Sequence, residues 1–224
     1  ANLVITGRNV EKLEKAKAAL ESAYGIKVLA LAADISAGSD NEATANMVVA
    51  RTVEAFGRID VLINNAQASA SGVTLAAHTT EQFDLAMYSG LYATFHYMQA
   101  AYPYLKETKG SVINFASGAG LFGNFGQSAY AAAKEGIRGM SRVAATEWGK
   151  DGINVNVICP LAWTAQLDNF EKAYPEASFP SSPSICETVT NLYPSLISLS
   201  YFSLTPAVIS VEIIPGHISL TVMP

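Results

Sequence analysis

The sequence predicts an α/β protein built on a doubly wound parallel sheet. Short apolar runs alternate with longer segments of helical apolar spacing, and polar residues gather where the apolar runs end. Half of the 224 residues are hydrophobic and 15% are charged. A chain of that length and composition supports one sizeable core rather than a disordered or fibrous state.

The elements follow in order. Asn2 to Thr6 reads as a strand ending at Gly7-Arg8-Asn9. Asn9 is a plausible N-cap for the next helix, and Gly25 a stop. Lys27 to Ala32 is a second strand closing on Asp34, and a helix runs from Asn41 to Phe56. Asp60 to Ile63 is a strand that stops at Asn64-Asn65-Ala66. Helices over about Thr80 to Ala86 and Leu91 to Lys106 precede the strand Val112 to Phe115. After a Gly-rich loop, apolar spacing at Tyr130, Ala133, Ile137, Met140, Val143 and Ala144 marks a long helix up to Trp148. Ile153 to Ile158 is one more strand, ending at Cys159-Pro160.

Charge and cysteine usage narrow the function. A net charge of -5 gives no basic footprint for nucleic acid or an anionic membrane. Cys159 and Cys186 lack metal or redox spacing and read as buried thiols. His78, His96 and His217 are scattered, so no metal site is expected. No signal peptide is visible, and a cytoplasmic location is the expectation.

The chemistry lies between residues 110 and 150. Tyr130 and Lys134 are four apart on one helix and face the same way. A tyrosine titrates near pH 10, too high for fast proton transfer at neutrality. A neighbouring ammonium favours phenolate and brings that value down. Ser117, thirteen residues before Tyr130 at the end of a strand, can hydrogen-bond a substrate oxygen. Together the trio suits moving a proton on or off a carbonyl or alcohol oxygen. In a parallel α/β sheet ligands bind beyond the strands' carboxyl ends, where Arg8, Asp34, Asn64 and Ser117 all fall. Each of these alone is what an ordinary strand-end loop carries.

These residues together resemble the short-chain dehydrogenase/reductase family, a Rossmann-like group of NAD(P)-dependent oxidoreductases. The resemblance covers about residues 1 to 175 and rests on Asn64-Asn65-Ala66, Ser117, Tyr130-x-x-x-Lys134 and Asn154 to Ile158 before Pro160. It implies Tyr130 as catalytic acid/base, Lys134 as its activator and ribose ligand, and Ser117 as orienter of the substrate oxygen. It also implies Asn64 and Ala66 on the adenosine side of the cofactor, and Asp34-Ile35 at the adenine. NAD-preferring sites carry an acidic residue at the end of the strand that reads the ribose; here stand Gly7 and Arg8, and an arginine suits a 2′-phosphate. NADP is the expected cofactor. Three stretches, Asn64 to Gly72, Tyr88 to Phe95 and Cys159 to Thr164, are further similar to the bacterial 12α-hydroxysteroid dehydrogenases. That similarity implies the 12-hydroxyl or 12-ketone of a bile acid as substrate. The apolar Leu121, Phe122 and Phe125 suit a steroid face and equally a loop core.

The sequence also departs from the family. Gln67 stands where a glycine is usual, Gly90 where a helix asparagine holds a relay water, and Leu161 where a glycine follows the proline. The first strand resembles the family's second, so the resemblance implies a sheet lacking the first strand and its glycine-rich turn. The lost strand would lie between Leu3 and Asp60 and would leave core surface uncovered. From Ala173 onward 52 residues hold no Lys or Arg. Residues 176–224 are therefore read as an atypical Ser/Pro-rich apolar tail after a 1–175 domain. An out-of-frame stretch, a divergent substrate flap and a membrane-facing segment are its three readings, with Pro194, Pro206 and Asn191 against the last. Val208 to Ile214 and Ile218 to Val222 read as a hairpin.

Three functions stay open. The first is an NADP-dependent alcohol/ketone oxidoreductase working as a homodimer or homotetramer, with a steroid among its substrates. The second is a 3-oxoacyl or sugar reductase of the same family. The third is an inactive fragment that keeps the family's helices as a dimerisation module; Ile137 and Met140 suit its outer face and equally fit core packing.

Overall fold

A computed structural model describes residues 1–36, 40–160 and 172, and the backbone of 208–214 and 217–223. The chain divides into two units, Ala1–Pro160 and Leu161–Pro224. The first holds β1 (Leu3–Gly7), α1 (Val10–Tyr24), β2 (Val28–Ala32), α2 (Asn41–Phe56), β3 (Val61–Asn64), α3 (Thr80–Ala86), α4 (Ala93–Thr108), β4 (Ser111–Phe115), α5 (Gly118–Phe122), α6 (Ser128–Trp148) and β5 (Asn154–Ile158).

Strand pairing is parallel throughout this unit, in two separate sheets. β1 pairs with β2, and β4 lies between β3 and β5. β1 and β3 do not pair with one another. The rest of the alternation is a Rossmann-like arrangement of parallel strands and helices.

Local signals set the helix ends. The Asn9 carboxamide oxygen accepts from the Lys12 amide at 2.9 Å, and Gly25 closes α1 with a φ of 62°. The Asp40 carboxylate accepts from the Ala43 amide, and Gly57 closes α2 with a φ of 76°. The core lies where α2, α4 and α6 meet one face of β3–β4–β5. Val49, Met98, Ala101, Leu105, Val112, Ala144 and Ile153 are buried there together. Ile137 is also buried, which bears out core packing, the second of the two readings open to it. Met140 is partly buried against the same core.

Two local structures differ from expectation. Met87–Tyr92 is a π-helical turn joining α3 to α4. The Ser89 hydroxyl within it donates to the Leu85 carbonyl of α3 and bonds both backbone groups of Ala68. The Gly-rich loop after β4 contains a short helix, α5, because Ser117 caps it and Gly123 ends it in the left-handed region.

In the second unit β6 (Val208–Ile214) and β7 (His217–Met223) form the antiparallel hairpin that the sequence predicts. Cys186 and the segment between Glu187 and Ala207 lie outside the described residues. Among the described residues no helix is long and apolar enough to cross a membrane.

Candidate active site

Strand β4 delivers Ser117 to its place. Ser117 is extended at φ -155° and ψ 150°, and its hydroxyl accepts from the Ala119 amide at 3.1 Å. The Ser117 hydroxyl is close enough to the Tyr130 phenol to hold its pKa down. Lys134, one turn along α6, is buried and donates from Nζ to the Phe115 carbonyl at 2.6 Å. That Nζ lies 5.5 Å from the centre of the Tyr130 ring. The three residues expected to work together are thus assembled at the carboxyl end of β4.

Their electrostatics differ from the simple expectation. Burial pushes the Tyr130 phenol above its ordinary 10.0, partly offset by the Ser117 hydroxyl and reinforced by Cys159. Burial also lowers Lys134 from 10.5 to about 8, with Cys159 opposing that shift. Desolvation therefore outweighs the attraction that was to draw the phenol down, and Lys134 spends its hydrogen bond on backbone. Cys159 is exposed, not buried, because it stands just beyond β5 beside the trio.

The nucleotide-side residues fall into two groups. Arg8 and Asp34 sit at the paired ends of β1 and β2, where Asp34 is held below its usual range by two hydrogen bonds from Ser36 and by the Arg8 charge. Ile35 follows in the same turn. Asn64 ends β3, and its Nδ2 donates to the Asn114 side-chain oxygen at 2.8 Å. Ala66 is exposed just beyond it. Arg8, Asp34 and Asn64 thus place polar side chains at the carboxyl ends of the strands.

Three sets of contacts escaped sequence reasoning. Asn114 is fully buried in β4 and also donates to Ser141 at 2.8 Å. Arg138 donates to the Ser117 carbonyl at 3.2 Å; its spacing four residues after Lys134 was the available signal. Gln67 covers Gly90, where an added Cβ would lie 2.6 Å from the Gln67 amide carbon. The two departures from the family pattern are therefore one paired feature.

The chain is 68% identical over 177 residues to the 12alpha-hydroxysteroid dehydrogenase of Clostridium sp., covering 79% of this chain and 68% of that protein. It is 37% identical over 175 residues to levodione reductase from Leifsonia aquatica, covering 77% of this chain and 64% of that one. The crystal structure of levodione reductase superposes with a TM-score of 0.70 at 35% identity, over 79% of this chain and 68% of the other. Residues 1–173 match the short chain dehydrogenase family, and the chain belongs to it.

Proposed function

We propose that this chain carries the catalytic residues of an NADP-dependent oxidoreductase that interconverts a secondary alcohol and a ketone, with the 12-hydroxyl of a bile acid as its substrate. The observation that carries this reading is the Ser117 hydroxyl beside the Tyr130 phenol, with Lys134 Nζ 5.5 Å from the Tyr130 ring centre. The identity to a 12alpha-hydroxysteroid dehydrogenase supports the substrate. So do Leu121, Phe122 and Phe125, all exposed on the loop beside Ser117. A flat apolar steroid matches such a surface.

Ser117 donates to the substrate oxygen and holds it against the phenol. In the oxidising direction Tyr130 takes the hydroxyl proton, and in reduction it returns one. Lys134 holds positive charge beside the phenol. Bound nicotinamide supplies or accepts the hydride at the substrate carbon. The residues present fit the ribose and 2′-phosphate ends of NADP, through Lys134 and Arg8. Among the described residues no glycine-rich turn is placed for the pyrophosphate.

The family domain is proposed to extend to about residue 175, with a cytoplasmic location. Its oligomer, a homodimer or homotetramer, is proposed to use the groove of about 370 Å³ between α4 and α6, where Phe95 and Val143 are exposed. Val143→Glu, read by sedimentation, is expected to shift that oligomer to monomer.

The deciding experiment titrates the purified chain with NADPH, following nicotinamide fluorescence and thermal stability, and then adds a 12-oxo bile acid. Saturable binding with a raised Tm and oxidation of NADPH by the steroid is the expected result. Binding without turnover on that substrate, but with turnover of 3-oxoacyl or sugar ketones, moves the substrate class. No binding at millimolar NADPH overturns the enzymatic reading of this chain.

A further inference from the structure

Helix α6 meets the end of β4 along one polar stripe. Tyr130, Lys134 and Arg138 recur every four residues, so their side chains leave the same face. Tyr130 lies beside the Ser117 hydroxyl, Lys134 donates to the Phe115 carbonyl, and Arg138 donates to the Ser117 carbonyl. The first two contacts belong to the chemistry already described. The third does not, and it grips the backbone of the residue whose hydroxyl must meet the substrate.

Arg138 is well placed for this. Its side chain is 12% exposed, and its Nη2 lies 3.0 Å from a carboxylate oxygen of Glu135. That contact is an ion pair off the hydrogen-bond line, since neither the Glu135 Oε1 nor the Arg138 Nε has a hydrogen-bond partner. The Glu135 carboxylate in turn rests against Gly120, the centre of α5, where an added Cβ would collide with it. The pair therefore touches the Ser117–Gly123 loop twice, once at its first carbonyl and once at its middle.

We propose that Arg138 and Glu135 are positioning residues for catalysis, clamping the Ser117 loop onto α6 so that the serine hydroxyl stays aligned with Tyr130. The assignment rests on the proposed oxidoreductase reading of Ser117 and Tyr130. Extended Ser117 has one side-chain torsion to orient its hydroxyl, so a shift of its carbonyl moves the hydroxyl with it. Without Arg138, a half-exposed Glu135 loses its ion partner and the loop loses its anchor to the helix.

Three variants test this: Arg138→Lys, Arg138→Met, and Glu135→Gln/Arg138→Met. The double variant changes no net charge, which separates lost alignment from lost electrostatics. The groups facing the phenol are Ser117 on the loop, Lys134 on α6 and Cys159 beyond β5, and none of them is altered. Two readouts are taken on each. The first is titration of the Tyr130 phenol by 13C NMR of ring-labelled chain, which needs no turnover. The second is kcat and KM for the 12-oxo bile acid with NADPH.

Displacing the Ser117 hydroxyl, which holds the phenol's pKa down, moves its titration upward in Arg138→Met and in the double variant. Arg138→Lys, which keeps a donor, returns most of the way to the parent. Turnover falls about 10- to 100-fold in kcat while KM changes less than about threefold. The proposal is overturned if the folded double variant titrates Tyr130 at the parent's position. It is equally overturned if Arg138→Met lowers Tm without moving the titration, which would be a packing role only. A parent chain that does not oxidise NADPH fails the functional reading, and the NMR titration still decides the clamp.

Discussion

Lys134 sets stability against chemistry at a single residue. Its proton is held at about 8 in the folded chain and at its ordinary 10.5 when unfolded. Between those values the unfolded chain keeps a proton that the folded chain has released, so stability rises with pH across that window. The full difference is on the order of 3 kcal/mol. Urea unfolding at pH 7.5 and 9.5 is expected to show this gain in the parent and to lack it in Lys134→Met; equal slopes would mean that the ammonium is not desolvated. Tyr130→Phe keeps the ring and removes the proton carrier. Turnover is expected to fall at least about 100-fold with NADPH affinity retained, and near-parental kcat would remove Tyr130 from the mechanism. Gly90 and Gln67 give a third test. Gly90→Asn places a side chain where the Gln67 amide lies, so it should destabilise the chain, by about 1–3 kcal/mol for an overpacked site. Gln67→Gly clears that space and should restore most of the loss, and additive effects in the double-mutant cycle would contradict the contact.

At the scale of elements, β3, β4 and α6 are joined through Asn114. Its side chain accepts from Asn64 and donates to Ser141, whose hydroxyl donates to the Ile137 carbonyl at 2.6 Å. A buried amide so placed costs little while satisfied and much when its partners are stranded. Asn114→Leu is expected to cost about 1–3 kcal/mol in urea unfolding and to free the Asn64 side chain, weakening NADPH binding in the same titration. Unchanged stability would show that the network is replaceable by packing. The elements themselves were legible in the sequence: strand and helix spans follow from periodicity and from caps such as Asn9 and Gly25. The Tyr130–Lys134 pair was legible too, since helical spacing alone puts both on one face. What was not legible depends on partners distant in sequence. Asn114 reads as an interruption in an apolar strand until Asn64 and Ser141 are brought to it. The π-turn needs Ser89 to find Ala68, and the exposure of Cys159 depends on how β5 ends against α6. Desolvation of Tyr130 and Lys134 is likewise a sum over surroundings that spacing does not contain.

For the first unit as a whole, the sheet is covered unequally. Side chains alternate across a strand, so Leu62, Val112 and Val155 face α4 and α6 while their neighbours face the other way. On that other face the register aligns Ile63 with Ile113 and Phe115 with Ile158. Val61, Ile63 and Ile158 are 42%, 41% and 42% exposed. A parallel sheet normally buries both faces, and contiguous apolar surface of this kind binds other apolar surface. The purified chain is therefore expected to enhance the fluorescence of a hydrophobic dye at neutral pH and to self-associate as its concentration rises. Val61→Lys/Ile63→Lys removes two apolar side chains from the exposed face. It should cut both signals while shifting stability by no more than about 0.5 kcal/mol per site, the usual range for exposed positions. Sedimentation velocity and dye titration on the parent and the double variant check this. Unfolding of the variant would show that the face is covered in solution. In that case the added Tm from NADPH in the parent would report on a closed sheet, and the self-association would have to arise from the groove between α4 and α6.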